Sequence, residues 1–223
     1  MNACWIILLQ AVPAMADAEG DALARKVAGA AGDPYALTSL DFTVVVTAGE
    51  EEKARRSHSW QPQAGTLTVA MGGSSTRFES LNTTDPTSHV GSPGAHADTW
   101  SQVSPGTDPE RAAKAWSAFI NDSYWLLAAS KVLDPGVNRS IDEEGRLVLT
   151  FDGVGLTPGD RYMLTVDPDS ARVTAWAFEL QNGREGQYSW TEHQTAGPLT
   201  LSTHRANEAG DFVVRFEDIV ANP

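Results

Sequence analysis

From Leu40 onwards, apolar residues recur at every second position in short runs separated by glycine, proline and acidic residues. Alternate residues of a strand face the same side, so such runs give half-buried antiparallel strands with one polar face. Leu40, Phe42, Val44 and Val46 form the first apolar set, interleaved with Asp41, Thr43, Val45 and Thr47. Gly49-Glu50-Glu51-Glu52 reverses the chain, and its acidic run reads as a solvated hairpin tip rather than a metal site. A strand over Lys53–Trp60 returns, Pro62 and Gly65 turn it, and Leu67, Val69 and Met71 mark a third. Gly72-Gly73 leads to a fourth over Arg77–Leu81. The pattern resumes at Leu147/Leu149/Phe151, Tyr162/Leu164/Val166, Trp176/Phe178/Leu180, Tyr188/Trp190, Leu199/Leu201 and Phe212/Val214/Phe216, with Asp167-Pro168-Asp169-Ser170 as a hairpin signal. The spacing predicts about ten strands, four before a helical segment and six after it. The simplest arrangement is an α+β, β-dominated meander with an interior helix, and no longer repeat is visible.

The interruption is helical. Asp108-Pro109-Glu110 supplies an N-cap, a proline at the first helical position and an acid in the first turn. Ala112, Ala113, Trp116, Phe119 and Ile120 then form one apolar stripe. The stripe runs into Ile120–Val137, the most apolar stretch after the leader, which ends at Asp134-Pro135-Gly136. Asn121-Asp122-Ser123 is expected to loosen or interrupt the helix within it. Before the strands, Asp17–Ala31 is Ala-rich with helical spacing, Gly32 is a stop, and Asp33-Pro34 starts a short turn. Residues 82–109 are rich in Ser, Thr, Gly, Pro and Asp and longer than an ordinary connection. That insertion reads either as a lid or as a variable surface loop.

Residues 1–16 resemble a secretory signal: an apolar run from Trp5 to Val12, then Pro13 and the small-x-small Ala14-Met15-Ala16. The run lacks a preceding Lys or Arg, and a membrane span needs about 20 apolar residues, more than it offers. The only cysteine, Cys4, lies inside this segment, so the mature chain is expected to have no disulfides and no thiolate chemistry. A net charge of −13 argues against nucleic acid and against an anionic membrane surface. The expected location is periplasmic or secreted.

No motif points to catalysis or to a cofactor. His89 and His96 fall in the insertion without metal-ligand spacing, and His58 and His193 sit on strands beside polar residues, as on an outer face. Gly91-Ser92-Pro93-Gly94 has the wrong spacing for a nucleophile elbow, and nothing singles out a carboxylate pair among 29 acids. There is no phosphate loop or dinucleotide fingerprint. What stands out is aromatic: Trp116, Phe119, Tyr124, Trp125, Trp176, Phe178 and Trp190 all fall on predicted inward faces. They either pack a core or line an apolar pocket.

Several blocks carry a resemblance. Asn121-Asp122-Ser123-Tyr124-Trp125-Leu126-Leu127, Asp134-Pro135-Gly136-Val137, Leu149–Tyr162 with its Gly155-Leu156-Thr157-Pro158-Gly159-Asp160 core, Val166-Asp167-Pro168 and Gly197-Pro198-Leu199 are similar to a bacterial envelope family of unknown function (DUF6503-like). That family is related to the LolA/LolB-like lipoprotein-localisation factors, and the match covers roughly Asp33 to Asn222. The resemblance implies an antiparallel curved half-barrel sheet wrapped over a central helix, with an apolar cavity that holds acyl chains in the localisation factors. Residues 17–223 are then one half-barrel domain carrying the 82–109 insertion. The expected function is that of an exported, non-enzymatic envelope protein binding a lipid or other apolar ligand, as a monomer without a membrane span. The alternative is a structural or protein-interaction module with a solid core and no ligand.

Overall fold

A computed structural model of the chain describes residues 17–79, 81, 107–152, 157 and 159–223. Residues 1–16, read from the sequence as a secretory signal, most of the insertion with His89 and His96, and most of the link from Gly153 to Pro158 lie outside the described residues.

Helix α1 spans Ala18–Ala31. The Asp17 carboxylate caps it by accepting from Glu19 N at 3.0 Å and also accepts from Ile141 N at 2.8 Å, tying the helix start to a sheet edge. Its buried face is Gly20, Ala24, Val27 and Ala31. Small residues let the helix lie close to the sheet: a Cβ on Gly20 would sit 2.8 Å from Ser140 Cα. A 3-10 turn over Pro34–Ala36 follows, capped by Asp33 as the sequence predicts.

The strands are β1 (Ser39–Ala48), β2 (Glu51–Gln61), β3 (Thr66–Met71), β4 (Ser74–Phe78), β5 (Val137–Ile141), β6 (Leu147–Phe151), β7 (Arg161–Val166), β8 (Val173–Glu179), β9 (Glu185–Ala196), β10 (Leu199–Asn207) and β11 (Phe212–Asn222). Together they form one antiparallel sheet in the order β4-β3-β2-β1-β11-β10-β9-β8-β7-β6-β5. The α+β, β-dominated class is as expected, with eleven strands among the described residues. The additional one is β5, whose Asn138, Arg139 and Ser140 hide its alternation. Its Arg139 turns toward α1 and pairs with Asp21 at 2.6 Å.

Two meanders meet at the β1–β11 pair, where Leu40 faces Ala221 and Val44 faces Phe216. The register slips between Asp41 and Thr43, opposite Asp218, which has φ of 54°. Such a bulge bends the strand and increases its twist, and here it falls at the centre of the sheet.

Helix α2 (Pro109–Leu127) packs on β3, β4 and β10, and α1 packs on β5, β6 and β10. Asp108 caps α2, and Ala112, Trp116 and Phe119 are buried, as the stripe predicts. The helix does not break at Asn121-Asp122-Ser123. Asp122 is buried against β2, where Arg56 Nε and Nη2 donate to it at 2.6 and 2.7 Å and His58 Nε2 lies 2.9 Å away. Partners on another element satisfy the polar residues that would otherwise end the helix.

His58 is therefore on the inner face and stacks on Phe42 at 4.8 Å, contrary to the outer-face expectation. His193 also departs from it. Glu192 has φ of 54°, and His193 Nε2 lies 3.0 Å from Val173 O in a crevice beside α1.

Two buried clusters fill the concave side. One joins α2 to β1–β4 and to inward residues of β10 and β11; the other joins α1, Ala128 and Val132 to β5–β9. Trp125 packs against both.

Candidate functional site

Between the two clusters lies a cavity of ≈ 110 Å³. Its floor is the C-terminal half of α2: Phe119, Ile120, Tyr124, Trp125 and Leu127. One wall is Trp60 of β2 with Tyr35 of the 3-10 turn, and the other is Val137, Phe151 and Tyr162 of β5, β6 and β7. Five strands separate β2 from β7 in the sheet order, yet both reach one cavity. The sheet is therefore curved over α2, and its two wings meet at the end of the helix.

The far wall is a cluster of rings. Tyr124 lies 5.5 Å from Tyr162 and 6.0 Å from Phe151, while Phe151 and Tyr162 meet edge-on at 5.5 Å. Behind them Tyr162 stacks on Trp176 at 5.0 Å. Trp125 meets Trp176 edge-on at 4.7 Å, a favourable geometry for aromatic pairs.

The turn after α2 supplies the polar rim. Lys131 Nζ lies 2.7 Å from Asp134 Oδ2, Tyr35 Oη donates to the same oxygen at 2.9 Å, and Lys131 also donates to Tyr35 Oη. The ion pair is largely shielded, with side chains 15% and 11% exposed. Burial pushes the Tyr35 phenol up to about 12; Lys131 opposes this and Asp134 adds to it. Burial pulls Lys131 down, but the charge of Asp134 and the contact with Tyr35 outweigh it and leave its pKa raised. At neutral pH both phenol and ammonium are thus protonated.

Below the rim, buried Asp160 accepts from Tyr162 Oη at 3.0 Å, from Gln181 N at 2.9 Å and from Thr157 Oγ1. Burial raises the Tyr162 phenol, and Asp160 raises it further. Tyr124 Oη has no hydrogen-bond partner among the described residues. Burial pushes its pKa well above the usual value, and Tyr162, Asp134 and Asp160 add to the shift.

Of the seven aromatic candidates, the structure brings Phe119, Tyr124 and Trp125 to this cavity. Trp116 and Trp176 are buried in the two clusters, and Phe178 packs over Gly186 beside Tyr188. Trp190 borders a separate crevice of ≈ 20 Å³ beside α1 and carries Arg205 on its ring. Tyr35, Trp60, Lys131, Asp134, Phe151 and Tyr162 were not singled out by the sequence as site residues. Phe151 and Tyr162 already stood at inward alternating positions, which is the signal that points to them. Among the described residues no group of three or more His, Cys, Asp or Glu side chains could hold a metal ion, and no helix is long and apolar enough to cross a membrane.

No family model matches the chain, and no curated protein matches it. Solved structures do align with it. A LolA superfamily protein from Nitrosomonas europaea is 10% identical with a TM-score of 0.48, over 92% of this chain and 94% of that one. A DUF1329 family protein from Desulfovibrio piger is 9% identical with a TM-score of 0.41, over 91% of each chain. A domain assigned to outer membrane lipoprotein sorting in Vibrio parahaemolyticus is 10% identical with a TM-score of 0.41, over 91% of this chain and 92% of that one.

Proposed function

We propose that this is an exported, non-enzymatic envelope protein that holds a lipid or other apolar group on the concave side of its sheet. The observation that carries the reading is the ring-lined cavity at the end of α2, where apolar walls converge with a few placed polar groups. Signal removal after Ala16 leaves residues 17–223 as the functional unit, a monomer in the periplasm or outside the cell, and the motif blocks from Asn121 to Leu199 support membership of the envelope family they resemble. A non-catalytic role is supported by the Asp122–His58 pair, the arrangement most like a general base, whose side chains are 1% and 0% exposed.

Size limits what the cavity takes. At ≈ 110 Å³ it is smaller than an engineered cavity of about 150 Å³ that admits benzene, and well below the roughly 300–1,000 Å³ of drug-sized sites. It suits a chain end or a small branched group, with the rest of the ligand outside. The same figure, together with the dense packing of Trp116 and Trp176, favours a second reading: an interaction module with a filled core.

Native mass spectrometry of the full chain after mild purification, with a lipid extract offered, separates the two. A retained apolar species supports the carrier reading. A chain that stays bare in the presence of the extract supports the filled core.

A further inference from the structure

The charge around the cavity is unusual for an amphiphile site. Among the described residues the lining contributes one cation, Lys131, and it is already matched by Asp134 and Tyr35. A second carboxylate, Asp160, lies buried behind Tyr162 and Thr157. Arg184 is exposed over the Phe178 ring and is the weakest of the four influences on Tyr162. An entering anion would have to displace Asp134 from Lys131 or face two carboxylates where water screens poorly. The chain as a whole carries −13.

Among the described residues, one polar group of the lining without a hydrogen-bond partner is a phenol donor. Tyr124 lines the cavity, keeps its proton at ordinary pH, and its hydroxyl has no partner among the described residues. Such a hydroxyl donates to water or to an acceptor that enters with the ligand, and an apolar group that displaced the water without supplying an acceptor would leave it unmet at a cost. Tyr35 and Tyr162, by contrast, already donate to Asp134 and Asp160.

We propose that the cavity takes an uncharged apolar group bearing an acceptor oxygen, an ester, ketone or ether, which accepts from Tyr124 Oη, and that it discriminates against a carboxylate or phosphate in the same position. This rests on reading the cavity as a ligand site.

The test compares hexane, methyl hexanoate and hexanoate on the full chain at neutral pH, by protein-observed NMR titration. Methyl hexanoate is expected to bind, with hexanoate weaker by about tenfold or more. Tyr124→Phe should weaken the ester by about threefold to tenfold and leave hexane unchanged, as expected for one hydrogen bond. Asp134→Asn, which frees Lys131, should narrow the gap between ester and carboxylate. Hexanoate binding as tightly as the ester, or an ester indifferent to Tyr124→Phe, overturns the inference while the cavity reading stands. Failure of all three probes to bind overturns the cavity reading and this inference with it.

Discussion

Arg205 Nη2 donates to the backbone oxygen of Trp125 at 2.8 Å, joining β10 to the last turn of α2. That turn has no basic residue of its own, so a cation from across the core meets the negative end of the helix. The guanidinium also donates through Nη1 to Ser202 O and Oγ at 2.7 and 2.9 Å and lies 3.7 Å over the Trp190 ring. It is fully buried and has no carboxylate partner among the described residues; burial alone pushes its pKa well down.

Two replacements of Arg205 separate its bulk from its charge. Arg205→Ala leaves a void and orphaned carbonyls and should cost about 3–5 kcal/mol. Arg205→Met fills most of the space and removes a charge whose burial is itself worth several kcal/mol of penalty, so it should cost less than about 2 kcal/mol. Urea unfolding of both variants checks the order. A methionine variant as unstable as the alanine one would mean that the carbonyl contacts dominate.

The Asp122 cluster predicts an acid response. Burial raises the Asp122 carboxyl, but hydrogen bonds from His58 and Arg56 and the charge of Arg56 outweigh it, and the pKa is lowered. A depressed carboxyl contributes stability above its unfolded pKa of about 3.9 and loses that contribution as pH falls through the folded value. Stability should therefore drop below about pH 4 in the native chain and drop less steeply in Asp122→Asn. At pH 7 the same substitution should cost about 3 kcal/mol, because it leaves Arg56 without its counter-charge. Urea midpoints across a pH series measure both.

Trp116 and Trp125 should respond differently to truncation. Trp116 is 0% exposed between Phe78 and Phe119, so Trp116→Ala is expected to cost about 3–5 kcal/mol. Trp125 is only partly buried and forms a cavity wall, so Trp125→Ala should cost about 1–3 kcal/mol. Equal losses in chemical denaturation would argue that Trp125 is packed as tightly as the core.

Much of this was legible in the chain. The strand pattern pointed to ten of the eleven strands among the described residues, though β4 lies at Ser74–Phe78 rather than Arg77–Leu81, and Asp108-Pro109-Glu110 placed the start of α2 to the residue. What stayed hidden was polar. Asn121-Asp122-Ser123 looks like a helix break because the partners of Asp122 lie 64 and 66 residues earlier, on a strand that local pattern cannot bring near. Arg139 masked β5 for the same reason, its partner Asp21 being 118 residues away. The aromatic inventory pointed at the correct face but not at its gap. Ring-bearing positions alternate identically whether they fill a core or border a cavity, and only the curvature that brings β2 toward β6 and β7 separates them.

Two glycines test the turns. Gly197 has φ of 53°, and a Cβ there would lie 2.3 Å from Ala221 O, so Gly197→Ala combines left-handed strain with a backbone clash and should cost about 3 kcal/mol or more. Gly49 has φ of 58° with open space around it, so Gly49→Ala should cost only about 1–2 kcal/mol. Thermal unfolding of the two variants gives the difference.

The proposed function places an apolar ligand in the space at the end of α2. Val137 borders that space from the edge strand, and Val137→Trp would fill it. The decisive measurement is the amount of apolar species retained, by native mass spectrometry, in the native chain and in a folded Val137→Trp variant offered the same lipid extract. The native chain is predicted to retain the species and the variant to lose it. Equal retention by both, or none by either, would contradict the account.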